Sequence, residues 1–211
     1  MAQRTEGIHS ILSGPRVYWF YQWLSGTGGR HATFVREYLR PEPGMRVLDI
    51  GCGPGQMLRL MPQTDYVGYD LDPGYIEAAR RRFGDRAEFH CADATNVDMN
   101  GGGFDAVIAH GLLHHLDDGG VDRLMEVAAA AIHPEGRVLT SDPTHIDESS
   151  GLAKFLIRHD RGREIRTPEE YVELGRRRFA EVSVSVENQR MLPPLVPSRF
   201  PFAVMECRQP R

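Results

Sequence analysis

The stretch Val47-Leu48-Asp49-Ile50-Gly51-Cys52-Gly53-Pro54-Gly55 decides the fold. It opens inside Met45 to Ile50 (MRVLDI), an apolar run broken only by Arg46 and Asp49. Such near-continuous runs form strands buried on both faces of a parallel sheet. The acid is followed by a glycine-rich turn, then by a helix-like segment, Gln56 to Leu60. Glycine lets the backbone adopt positive φ and lets a ligand come close. In an open α/β sheet the ligand lies beyond the carboxyl ends of the strands. The turn is therefore expected to be a binding loop.

Working outward, Tyr66 to Tyr69 (YVGY), Ala87 to His90, Phe104 to Ala109 (FDAVIA) and Gly136 to Ser141 (GRVLTS) read as further strands. Pro73 to Phe83 and Val121 to Ile132 read as helices between them. The alternation predicts an α/β protein with a mostly parallel sheet. Asp70 ends the second strand, where an acid bonds the ribose hydroxyls of an adenosine-containing ligand. Asp93 follows the third, placed to accept a bond from an adenine amino group. Asp72, before Pro73, is the better helix cap, which leaves Asp70 for the ligand. The rival is a dinucleotide loop, G-x-G-x-x-G. Here the third glycine comes one residue early, and an acid sits two residues ahead of the first.

The ends depart from this alternation. Residues 8–40 are aromatic and helical, with Tyr18, Trp19, Phe20, Tyr21 and Trp23 close together, and are expected to cover the mouth of the sheet. VSVSVEN from Val182 and FAVMEC from Phe202 are expected as two late strands, joined by the proline-rich stretch Pro193 to Pro201. Thr167-Pro168-Glu169-Glu170 reads as a helix start. The runs Arg80 to Arg82 and Arg176 to Arg178 read as solvated helix faces.

At 211 residues the chain fits one domain, burying roughly 70% of its unfolded surface. A net charge of −4 leaves no electrostatic footprint for nucleic acid. Cys52, Cys91 and Cys207 lie far apart, so neither a metal site nor a disulfide framework is expected. With no signal-like or membrane-spanning run, the expected location is the cytoplasm.

Together these segments resemble the class I, S-adenosylmethionine-dependent methyltransferase family over roughly Met45 to Leu139. DIGCGPG resembles its first motif, VGYDLD the second, CADAT the third and FDAVIAHGLLHHL the strand-four motif. The stretch around Pro134-Glu135-Gly136 resembles the turn before strand five. The resemblance implies a Rossmann-like, seven-stranded, mostly parallel sheet with helices on both faces and an N-terminal helical cap. It implies one domain: cap 1–40, cofactor-binding core 41–142, substrate-side insertion 143–170, and a C-terminal helix and strand pair 171–211. It implies that Gly51, Cys52, Gly53 and Gly55 line the methionine end of S-adenosylmethionine, with Asp49 helping to orient it. Asp70 would hold the ribose and Asp93 the adenine, flanked by Leu71 and Ala94. His110 would lie where the cofactor passes strand four.

Methyl transfer is an in-line displacement from an already activated sulfonium, so placement carries most of the catalysis. A histidine can take the acceptor's proton near neutral pH. The segment LLHHL resembles that of phosphobase methyltransferases, which implies His115 as a base paired with a cap tyrosine, Tyr18 or Tyr21. Asp142 and His145 face the same mouth, as substrate contacts or as turn formers. Residues 155–166 hold Arg161, Arg163 and Arg166, an anion site or a surface loop. There is no Asn/Asp-Pro-Pro-aromatic sequence, the family's mark of DNA amino methylation, and no acid cluster suited to a catechol metal site. The expected partner is a small-molecule acceptor, without nucleic acid or membrane, for a monomer or homodimer. The alternative is a cofactor-binding protein of the same fold with other chemistry or a regulatory role.

Overall fold

The computed structural model describes residues 27–97, 102–146, 164–190 and 199–211. Helix α1, Thr27–Thr33, runs on into a π-helical turn, Phe34–Leu39. Then follow β1 (Arg46–Ile50), β2 (Asp65–Asp70), α2 (Pro73–Phe83), β3 (Glu88–Cys91) and β4 (Phe104–His110). The chain continues with α3 (Asp118–Ala131), β5 (Ile132–Pro143), α4 (Pro168–Arg176), β6 (Phe179–Arg190) and β7 (Arg199–Pro210).

The strands form one seven-stranded sheet in the order β3-β2-β1-β4-β5-β7-β6. β1 to β5 pair in parallel, and β7 joins antiparallel to both β5 and β6. The expected late strands thus enter as an antiparallel pair. Because the chain runs outward from β1 to β3 and then returns to β4, strand order reverses between β1 and β4. That reversal opens a crevice beyond their carboxyl ends.

Alternation along the strands builds two apolar layers. Leu48, Val107, Ala109 and Val138 pack with Leu124, Met125, Ala128, Tyr171 and Leu174 of α3 and α4. Val47, Tyr66, Ile108 and Leu139 pack with Phe34, Val35, Leu39, Ile76 and Ala79 on the other face. Helices therefore cover both faces, as the resemblance implies. Of the expected cap, Phe34, Val35 and Leu39 lie in this second layer, while Tyr18 and Tyr21 fall outside the described residues.

Local signals explain the element ends. Asp72 caps α2, its Oδ1 accepting from Gly74 and Tyr75 N–H at 2.8 and 3.1 Å. Thr167 and Glu170 form a reciprocal capping box on α4. One expectation is corrected: the segment after the glycine loop is only a 3-10 turn, Met57–Leu60. Met61 precedes Pro62 and is extended, with ψ 150°. Proline sterically disfavours a helical residue before it, so the turn cannot grow.

Candidate active site

The glycine loop leaves β1 into the crevice. Gly53 has φ +54°, and a Cβ built there would meet nothing within 4 Å. Its N–H donates to Asp70 Oδ2 at 2.9 Å, while Asp72 N–H donates to Asp70 Oδ1 at 2.9 Å. Asp70 thereby ties the loop to the end of β2 and stays next to open space. Burial raises its carboxyl above the usual range, against those two backbone bonds. At Gly55, φ +70°, a Cβ would lie 2.8 Å from the Phe83 ring, so only glycine lets the loop close over α2.

Asp49 is buried, at 2% exposure, and accepts a 2.5 Å bond from the Tyr66 hydroxyl. Burial chiefly raises its carboxyl to about 7; Tyr66 opposes the shift and the Asp70 charge adds to it. Cys52 is buried beside these acids and its thiol is pushed up. Leu71 is 71% exposed at the end of β2, while Ala94 is buried. Asp93 caps a 3-10 turn, Ala94–Asn96, taking bonds from Thr95 N–H (2.9 Å), Thr95 Oγ1 (2.7 Å) and Asn96 Nδ2 (3.0 Å). Its capping role coexists with spare lone pairs for a ligand.

Across the crevice, His110 ends β4. Its ring meets His31 of α1 at 4.8 Å and Phe34 at 5.1 Å, both edge-on. Burial holds both histidines below their ordinary value, His31 at about 4. Among the described residues, buried side-chain atoms without a hydrogen-bond partner include Gln56 Nε2, His110 Nε2 and Asp142 Oδ2. Gln56 follows the glycine loop after β1, and His110 and Asp142 lie in the last residues of β4 and β5. An orphaned buried polar atom costs about 1–3 kcal/mol.

The strand-four turn Leu113–His115 carries both candidate histidines. His114 is buried, with Nδ1 2.7 Å from Asp142 Oδ1 and its N–H donating to the same oxygen at 3.2 Å. His115 is exposed, its ring 4.0 Å from that of His114. The structure thus puts the orienting carboxylate on His114, whereas the sequence points to His115. Nothing in the local pattern marks this pair, because His114 and Asp142 meet only across β4 and β5.

Arg166 does not join an anion site. It is buried and donates to Leu113 O (3.2 Å), Leu116 O (2.9 Å), Glu164 O (3.0 Å) and Asp118 Oδ1 (2.9 Å). It pins the histidine turn through Leu113 O and Leu116 O. Thr144 pairs with Arg166, stapling together the two ends of the intervening segment. Arg161 and Arg163 lie outside the described residues.

Residues 47–136 match the methyltransferase domain family. This part of the chain is similar to that domain, and the match spans less than half of the 211 residues. The phosphoethanolamine N-methyltransferase 2 of Haemonchus contortus, solved with phosphomonomethylethanolamine and S-adenosylhomocysteine, superposes with TM-score 0.74. That match covers 96% of this chain and 59% of the other at 17% identity, a likeness of fold. A probable tRNA methyltransferase 9B of Mus musculus is 38% identical over 110 residues, 52% of this chain and 23% of the relative. A ubiquinone biosynthesis O-methyltransferase of Azorhizobium caulinodans is 31% identical over 129 residues, 59% of this chain and 50% of the relative. The chain thus spans half or less of these curated relatives. The Haemonchus contortus neighbour was solved with S-adenosylhomocysteine. The open face of Gly53, the Asp70 carboxylate, exposed Leu71 and the orphaned His110 Nε2 fit such a group.

Proposed function

We propose that this protein transfers a methyl group from S-adenosylmethionine to an O, N or C atom of a small-molecule acceptor. One observation carries the reading: the glycine loop and Asp70 are bonded together at the strand-order reversal, beside unfilled space. When bound, the cofactor supplies a methyl group on a sulfonium leaving group. Gly51, Cys52, Gly53 and Gly55 line its methionine end, Asp70 holds the ribose, and Asp93, Leu71 and Ala94 hold the adenine. His110 closes the crevice from β4. On the acceptor side, His115 is the exposed candidate base, with Tyr18 or Tyr21 as partner. His114, oriented by Asp142, is the second candidate.

The same reading takes the chain as one domain, with cap 1–40, core 41–142, insertion 143–170 and C-terminal part 171–211. It places the protein in the cytoplasm as a monomer or homodimer. Among the described residues no helix is long and apolar enough to cross a membrane. Some relatives are named for tRNA, which makes RNA the competing acceptor class. The net charge of −4 favours the small molecule, since RNA binding rests on phosphate neutralisation.

The test is calorimetry with S-adenosylmethionine, then S-adenosylhomocysteine release against phenols, amines, carbon acids and a tRNA transcript. Binding with turnover on a small acceptor is expected. Failure to bind sinks the reading; turnover on tRNA alone replaces the acceptor class. Tight binding without turnover on any acceptor favours a regulatory protein of the same fold.

A further inference from the structure

Asp49 stands in a corner made of acids. Its neighbours on the same sheet face are Val47 and, across β2, Tyr66 and Gly68. Gly68 has no side chain, and Cys52 Sγ occupies that space, 2.8 Å from where a Cβ would sit. The groups acting on Asp49 are the Tyr66 hydroxyl and Asp70; those acting on Tyr66 are Asp49, Cys52 and Asp70. No cation is among them. A buried carboxylate is costly unless a cation or hydrogen bonds compensate it. Among the described residues the compensation comes from one side-chain donor, Tyr66, itself 1% exposed and fixed against Phe89 at 5.8 Å between ring centres.

We propose that Tyr66 is a positioning residue of the cofactor site: its hydroxyl favours the ionised form of Asp49 and fixes that carboxylate to receive the ammonium at the cofactor's amino-acid end. The proposal rests on the cofactor reading above. It adds a residue outside the glycine loop and the acid series, and it makes the amino-acid end, rather than the adenosine, the part that Tyr66 selects.

Two probes separate the ends. S-adenosylhomocysteine carries the ammonium; 5′-methylthioadenosine has the adenosine and sulfur without the amino acid. In calorimetry at pH 7, Tyr66→Phe is expected to weaken S-adenosylhomocysteine about tenfold, the scale of one hydrogen bond to a charged group. Methylthioadenosine should change less than twofold, and the deficit should shrink as the pH is raised to 9. In the cofactor-free protein, carboxylate NMR should find Asp49 titrating at higher pH in Tyr66→Phe than in wild type. Equal affinity for S-adenosylhomocysteine, or equal loss of both ligands, overturns the proposal, as does an unmoved Asp49 titration. Wild-type protein that binds neither probe sinks the cofactor reading instead.

Discussion

Single side chains here do two jobs at once, and the doubling sets the expected cost of changing them. Asp70 anchors Gly53 N–H and Asp72 N–H and is also the candidate ribose ligand. Asp70→Ala is therefore expected to weaken S-adenosylmethionine binding by about a hundredfold or more, since loop and ligand lose the same acceptor. Calorimetry with unchanged affinity would contradict the pocket assignment. Asp49, titrating at about 7, makes binding proton-linked. A cation beside it requires the carboxylate, so cofactor should displace nearly one proton at pH 6 and almost none at pH 9. Calorimetry in buffers of different ionisation enthalpy reads this directly; buffer-independent heats at pH 6 would refute it. The sign reverses for stability. A carboxyl raised from 3.8 to about 7 binds its proton more tightly folded than unfolded. Its contribution is thus lost as pH rises through that interval. The acids at the strand ends were legible in the sequence, because each sits next to a turn signal. Tyr66 was not, because its partner Asp49 is distant along the chain and adjacent only across β1 and β2.

At the scale of elements, two attachments carry testable weight. α1 and the π-helical turn after it dock through His31 and Phe34 onto His110, and both histidine rings are held neutral by burial. Their folded values lie below the ordinary 6.5, so the stability they carry is full above that value and is lost as pH falls toward 4. Asp49 acts oppositely in the same window, so the informative comparison is between proteins. The fall in Tm from pH 7.5 to 5 should be smaller in His31→Phe by about 2–4 °C, the shift expected for about 1 kcal/mol in a chain of this size. An identical fall would argue against the docking contact. The second attachment is Arg166, whose guanidinium ties the histidine turn to the base of the insertion. Arg166→Ala strands buried carbonyls and should destabilise by about 1–3 kcal/mol, seen as a lower denaturant midpoint. In the sequence Arg166 is one of several arginines in a polar stretch, with nothing to separate a buried clamp from an anion ligand. The caps of α2 and α4 were legible, because capping is settled within four residues.

Taken whole, the molecule is a reversed-order parallel sheet with an antiparallel addition, and the order fixes where a ligand must sit. A saturating ligand at a hundred times its Kd adds about 2.7 kcal/mol to the folded state. S-adenosylhomocysteine at that excess should raise Tm by roughly 5–10 °C, while NAD, the ligand of the rival loop, should leave it unmoved. A shift with NAD and none with S-adenosylhomocysteine would overturn the assignment. By itself the sequence determined the parallel α/β core, the glycine loop, the acids at the ends of β1, β2 and β3, and the helix caps. Each depends on residues close along the chain, on strand period, or on a turn's demand for glycine. The tertiary structure alone decided that His114 rather than His115 meets Asp142, that Arg166 is a clamp, that Tyr66 bonds Asp49, and that His31 meets His110. Those pairings span β1 to β2, β4 to β5 and α1 to β4, and register between distant segments is set by packing, which no local pattern encodes.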